Sequence, residues 1–125
     1  MRKIINKKMY DTETAECVEE FENTLYKGNA HYYKESLYRK KTGEFFLYGY
    51  GNARTKYAAV TIGGMYSPDE KIIPLSEEEA KNWMEQYGNV DTYIELFGEV
   101  DELERAGFLQ PYFFLNYGSQ RLQGT

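Results

Sequence analysis

Cysteine and histidine occur once each in this chain, and no apolar run approaches the roughly 20 residues that a membrane-spanning helix requires. The lone Cys17 excludes an internal disulfide and any metal site built from several thiolates. It lies in an acidic segment, which raises a thiol's pKa instead of activating it, so it reads as a small, semi-buried residue. The lone His31 sits in a Gly/Asn loop beside tyrosines, and no serine or cysteine motif points to it as a base. Gly49 and Gly51 precede Arg54 and Lys56, but the Walker spacing that cradles a phosphate is missing and no strong helix follows. Carboxylates are plentiful without a histidine among them, so neither a metal nor a cofactor is expected. No signal-peptide pattern opens the chain, and the expected location is the cytoplasm.

What the sequence has instead is aromatic surface. Thirteen tyrosines, seven phenylalanines and one tryptophan make an aromatic share of 17% within an apolar share of 42%, too much for a disordered chain. Tyrosine offers a large contact area with only two side-chain torsions to freeze, which suits binding surfaces as well as cores. A length of 125 residues suits one domain. Charge is uneven: residues 1–60 hold eleven Lys/Arg against eight Asp/Glu, a net of +3, while residues 61–125 hold four against twelve, a net of −8. Together these give the overall −5. If the two halves occupy different surfaces, the molecule is electrically two-faced; a set of solvated helices is the plainer explanation of the acidic half.

The pattern predicts an α+β domain over 1–107, an antiparallel sheet of short strands and hairpins with a C-terminal helical hairpin packed on one side. Ile4-Ile5 and Met9-Tyr10 flank a turn at Asn6 to Lys8. Asp11 or Thr12, followed by glutamates, predicts a short helix or helical turn through "DTETAECVEEF". "YKGNAHYY" reads as a loop. Lys40-Lys41-Thr42-Gly43 is a tight turn between two aromatic strands, with Gly43 supplying the positive φ. Period-two alternation sets Phe45 and Leu47 on one face and Phe46 and Tyr48 on the other. One face should pack on helices and the other beneath a neighbour or a partner. A strand is expected at Tyr57 to Ile62, and another at "EKIIPLS", where Pro74 marks an edge. Ser76 and Glu79 form a capping box ahead of Ala80, Trp83, Met84 and Tyr87. Val90, Tyr93, Ile94 and Phe97 repeat that spacing before Gly98, and a third helical turn is expected from Val100 to Ala106. Residues 108–125 form a C-terminal extension whose Tyr112 to Leu115 run suits an edge strand, a partner-docking segment or a homodimer contact, with a frayed end.

Two surfaces are candidate sites. Arg39, Lys40 and Lys41 occupy the hairpin tip, with Arg54 and Lys56 expected nearby and Tyr38, Tyr48 and Tyr50 interleaved. Cations that neutralise phosphates and rings that stack on bases are the two ingredients of single-strand binding. A charged turn capping a core hairpin explains the same residues somewhat better. The other surface is acidic: Glu77, Glu78, Glu79, Glu95, Glu99, Asp101, Glu102 and Glu104.

Three blocks, "KIINKKMYDTETAE", "ESLYRKKTGEFFLYG" and "EKIIPLSEEEAKNW", carry a resemblance. In this order they are similar to a group of small proteins from Firmicute mobile elements, related to anti-CRISPR inhibitors of type II effector nucleases. The resemblance runs from about Lys3 to about Glu102. It departs at "CVEEFENTLYKGNAHYYK" and after Glu104, and it transfers no functional residue. It implies a protein without enzymatic activity that acts in the cytoplasm of a bacterial host. Its implied partner is a type II effector nuclease, with or without the guide RNA, and the blocked step is guide loading or target engagement. Such effectors hold nucleic acid in positive channels, where carboxylates can stand in for phosphates. The alternatives are a nucleic-acid-binding accessory protein that uses the basic tip, and a metal-dependent nuclease.

Overall fold

Residues 1–98 are described by the computed structural model, and their elements run β1 (Arg2–Ile5), β2 (Lys8–Asp11), β3 (Glu16–Glu22), β4 (Tyr33–Arg39), β5 (Phe45–Gly51), β6 (Ala59–Val60), β7 (Tyr66–Ser67), β8 (Asp69–Leu75), α1 (Glu77–Tyr87) and α2 (Val90–Phe97). This is the expected α+β architecture. Strands β3-β4-β5-β8 form one antiparallel sheet in that order, while β1-β2 and β6-β7 are separate two-stranded ribbons.

The sheet is built outward from the β4–β5 hairpin, which pairs Tyr33 with Gly51 through to Arg39 with Phe45. Its turn closes through Lys40 N–H to Glu44 O and Gly43 N–H to Lys40 O, both 2.8 Å, with Gly43 at φ +94°. At that φ a Cβ is strained, so glycine is the residue the turn requires. The β1–β2 turn needs positive φ at both central residues, and Asn6 (55°) and Lys7 (68°) adopt it, so Lys8 already belongs to β2. On β8, Pro74 lies opposite Phe46 at the sheet's outer edge, where a missing N–H interrupts no ladder.

Both faces of the sheet are covered by the chain itself. Leu37, Phe45 and Leu47 turn toward the helices and bury Ala80, Trp83 and Met84 with them. Phe46 and Ile72 turn the other way and bury Tyr10 of the N-terminal ribbon, whose ring meets Phe46 edge-on at 5.5 Å. The neighbour over the second face is thus β1–β2, at the Tyr38/Phe46 end of the sheet. Leu37 and Phe46 are fully buried, each worth about 1.5–3 kcal/mol of transfer free energy.

The capping box forms as expected: Glu79 N–H donates to Ser76 Oγ at 3.1 Å and Ser76 N–H donates to Glu79 Oε1 at 2.8 Å. Helix α2 is capped by Asn89, whose side-chain oxygen accepts from Thr92 N–H at 3.1 Å.

Three expectations are corrected. The segment from Glu16 to Glu22 is a strand, not a helix. Asp11 does cap a turn, accepting Glu13 N–H on its side chain and Ala15 N–H on its carbonyl, but the chain then pairs along β4. A register shift between Cys17 and Glu19 lets both Val18 and Phe21 pack on the helix-side cluster, Phe21 against Tyr87 at 4.2 Å. Long-range pairing and burial outweigh the local helix signal. The strand expected at Tyr57 to Ile62 shrinks to Ala59–Val60, because Tyr57 leaves the ladder to bury its ring completely. The rest of that hairpin exposes Val60, Ile62, Met65 and Tyr66. On α2, Val90 is exposed at the first helical position, and Leu96 joins Tyr93 and Phe97 on the packed face instead. The turn expected at Val100 to Ala106, and the extension 108–125 with its Tyr112 to Leu115 run, lie outside the described residues.

Candidate functional site

At the basic tip, neutralisation is internal. Arg39 Nη2 lies 3.3 Å from Glu16 Oε1 on the neighbouring strand. Lys40 Nζ lies 2.9 Å from one oxygen of Glu44 and Lys8 Nζ 2.5 Å from the other, and these two ammonium groups hold the Glu44 carboxyl down at about 2. Lys40 also sits over the Tyr10 ring, 4.4 Å from its centroid. Lys41 alone of the three tip cations makes no ion pair among the described residues and is exposed.

The interleaved tyrosines are partly committed as well. Tyr38 is half-buried and stacked on Phe46 at 5.2 Å with nearly parallel rings, and its burial raises the phenol pKa. Tyr48 donates its hydroxyl to Glu70, which, with burial, pushes the phenol up to about 12. Tyr50 keeps an exposed ring.

Arg54 and Lys56 do not join the tip. They follow Gly51, at the opposite end of β5, so a seven-residue strand separates them from Lys40, about 20 Å of chain. The expectation of a single basic cluster is corrected on this point, since a strand that begins at the turn necessarily ends far from it. Nor do Gly49 and Gly51 form a phosphate cradle. A Cβ on Gly49 would stand 2.0 Å from Tyr57 Cζ, and one on Gly51 would stand 2.0 Å from Thr55 Oγ1. Both glycines make room for side chains of the following loop.

That loop completes a feature which sequence reasoning missed. Glu35, in the middle of β4, is 1% exposed. Its Oε1 accepts Trp83 Nε1–H at 2.8 Å; its Oε2 accepts the Tyr57 hydroxyl at 2.5 Å and faces Lys56 Nζ at 2.7 Å. Burial alone would raise this carboxyl, but the Lys56, Trp83 and Tyr57 donors outweigh it and hold the pKa below the ordinary carboxylate value. Tyr57 is pushed the other way, upward, by burial and by the carboxylate it faces. The carboxylate is saturated and buried, with Lys56 on its solvent side, an arrangement for joining β4, the Tyr57 loop and α1. The sequence separations of 22 and 48 residues leave no local signal for it.

The acidic surface is partly placed. Glu77, Glu78 and Glu79 are exposed in the first turn of α1, where the helix dipole favours them, and Glu95 is exposed on α2. Glu79 is occupied by the capping box, and Glu77 lies 3.5 Å from Lys81. Glu85 and Asp91, also exposed, extend this surface and were legible as helix-layer carboxylates by simple count. Glu99, Asp101, Glu102 and Glu104 lie outside the described residues.

Among the described residues no group of three or more His, Cys, Asp or Glu is placed to hold a metal ion. Among them, too, no helix is long and apolar enough to cross a membrane. No family model, curated protein or solved structure matches this chain.

Proposed function

We propose that this chain is an inhibitor of a type II CRISPR effector nuclease. It binds the nuclease or its guide complex on a cationic surface and blocks guide loading or target engagement. The observation that carries this reading is the partition of charge. Of the six ion pairs among the described residues, five lie within the sheet and its hairpins, and one, Lys81 with Glu77, lies in the helical layer. From Glu77 to Phe97 that layer holds six carboxylates, at Glu77, Glu78, Glu79, Glu85, Asp91 and Glu95, against the single cation Lys81. Five of the eleven cations in residues 1–60, at Lys8, Lys34, Arg39, Lys40 and Lys56, are paired with carboxylates, whereas all six carboxylates of the helical layer are exposed and only Glu77 has an ion-pair partner. A surface of that kind is steered toward a positively lined channel and competes there with phosphates. The resemblance supplies the identity of the channel's owner; the electrostatics support only its sign.

The test is co-elution of the purified chain with apo nuclease and with guide-loaded nuclease, together with DNA cleavage. Reversing Glu78, Glu85 and Glu95 to Lys should slow association by about tenfold or more at low salt and relieve inhibition, while Arg39→Ala with Lys41→Ala leaves both nearly unchanged. The opposite pattern, with a nucleic-acid shift that fades steeply as salt rises, would identify an accessory protein working through the tip. Cleavage by the chain itself that a chelator abolishes would identify a nuclease.

A further inference from the structure

We propose that the cleft between the loop that follows β3 and the loop that follows β5 binds the phosphate of a nucleotide, free or at the end of a strand, with its base against the Tyr33 and Leu25 side chains. This goes beyond the inhibitory reading and uses a different part of the molecule.

The cleft, about 430 Å³, lies at the end of the sheet remote from the basic tip. A volume of this order suits a mononucleotide. Its cationic wall is Arg54 and Lys56, its opposite wall is Asn23, Leu25 and His31, and Tyr33 lines it as well. None of the residues lining it is acidic, in a chain whose net charge is −5. Arg54 is exposed and forms no ion pair among the described residues, so its fork of donors is available for the bidentate contact that phosphate favours. Lys56 is anchored by Glu35 on one side and is 58% exposed, which leaves ammonium protons for a second acceptor. The Glu35 charge is balanced by Lys56, so that pair is close to neutral and Arg54 supplies the net positive charge of the cleft.

Both walls are pinned before any ligand arrives. Arg54 N–H donates to Ala30 O at 2.9 Å, and Asn52 donates through Nδ2 to the carbonyls of Lys27 and Asn29, both at 2.7 Å. Asn23 Nδ2 holds the His31 carbonyl at 2.9 Å, and Asn29 Oδ1 accepts His31 N–H at 2.8 Å. Asn52 is itself buried, so this is a latched loop pair and not a loose surface turn. Pre-organisation of that kind lowers the ordering cost of binding. A ring such as Tyr33 supplies a stacking partner for a base, which a bare phosphate cannot use.

The experiment is a two-dimensional amide NMR titration of the full chain at constant ionic strength. Inorganic phosphate, a nucleoside monophosphate, and a short single-stranded oligonucleotide with and without a 5′ phosphate are added in turn, with acetate as the control anion. Saturable shifts are expected at 23–33 and 54–56. The monophosphate should bind about tenfold tighter than phosphate, the lower part of what one stacked base contributes. Arg54→Ala and His31→Ala, both exposed, should each weaken monophosphate binding by about fivefold or more without changing the thermal midpoint, and Arg39→Ala should not. Binding of the 5′-phosphorylated oligonucleotide that is tighter than both its unphosphorylated twin and the monophosphate identifies a strand end as the ligand; a monophosphate that binds at least as tightly as either oligonucleotide identifies a free nucleotide. The proposal is overturned if no saturable shift appears up to about 10 mM, if acetate reproduces the shifts, if phosphate binds as tightly as the monophosphate, or if the shifts gather at residues 39–41.

Discussion

Replacing Glu35 by Gln changes one oxygen to an amide group, keeps the volume, and should destabilise the domain by about 3 kcal/mol. The magnitude follows from the partners. Trp83 Nε1, Tyr57 Oη and Lys56 Nζ all approach as donors, and all are within 2.8 Å. The amide can offer its oxygen to one side only, so its own donors must face either the indole N–H or the Lys56 ammonium. One hydrogen bond to a charged group is lost, worth about 1.5–3 kcal/mol, and a buried donor is left poorly matched at about 1–3 kcal/mol. Rotation of the Tyr57 hydroxyl to accept from the amide recovers part of this. Lys56→Ala should cost far less, about 1 kcal/mol at most, because its side chain is 58% exposed and water replaces what it loses. Urea unfolding followed by circular dichroism at pH 7 measures both. A double variant with Tyr57→Phe should lose less than the sum of its singles, since the two groups share one bond. Glu35→Gln within about 0.5 kcal/mol of the parent, or Lys56→Ala costing as much as Glu35→Gln, would refute the reasoning.

Three further outcomes follow from the same structure. Gly49→Ala sets a methyl 2.0 Å from the Tyr57 ring, so it should cost about 3 kcal/mol or more, and the double variant with Tyr57→Ala should lose less than the sum of its singles in the same unfolding assay. Ser76→Ala removes the capping box and should cost about 1 kcal/mol, with loss of helical ellipticity from α1. The folded-state pKa of Glu44 is depressed to about 2, so its contribution to stability is complete above the ordinary carboxylate value of 4.5 and is lost as pH falls from there toward about 2. Glu35 acts in the same direction. Thermal midpoints should therefore drop through that acid window, and Glu44→Gln should flatten the drop.

Where the chain signals its structure through near neighbours, the sequence was readable. The turn at Lys40 to Gly43 and the Ser76–Glu79 box each depend on contacts within about five residues, and Pro74 signals an edge through its own missing N–H. Reading failed where distant pairing decided. "ECVEEF" looks helical because its glutamates follow a capping Asp, and only β4 and Tyr87 make it a strand. Arg54 and Lys56 looked like companions of the tip because the sequence does not reveal which end of a strand a loop occupies. Glu35, in "YKESLYR", has three partners that come from two other segments, so nothing beside it in the chain announces its burial.

The buried carboxylate also sets how α1 can lie on the sheet. Leucine, phenylalanine and methionine contacts tolerate sliding, since one apolar neighbour substitutes for another. A helix displaced along its axis by one turn, about 5.4 Å, would still cover Leu37 and Phe45, yet it would carry the Trp83 indole away from its acceptor. The same displacement would leave one buried Glu35 oxygen without its donor while Lys56 and Tyr57 keep the other, so the indole–carboxylate bond works as a registration pin that rejects near-miss assemblies which greasy contacts alone would accept.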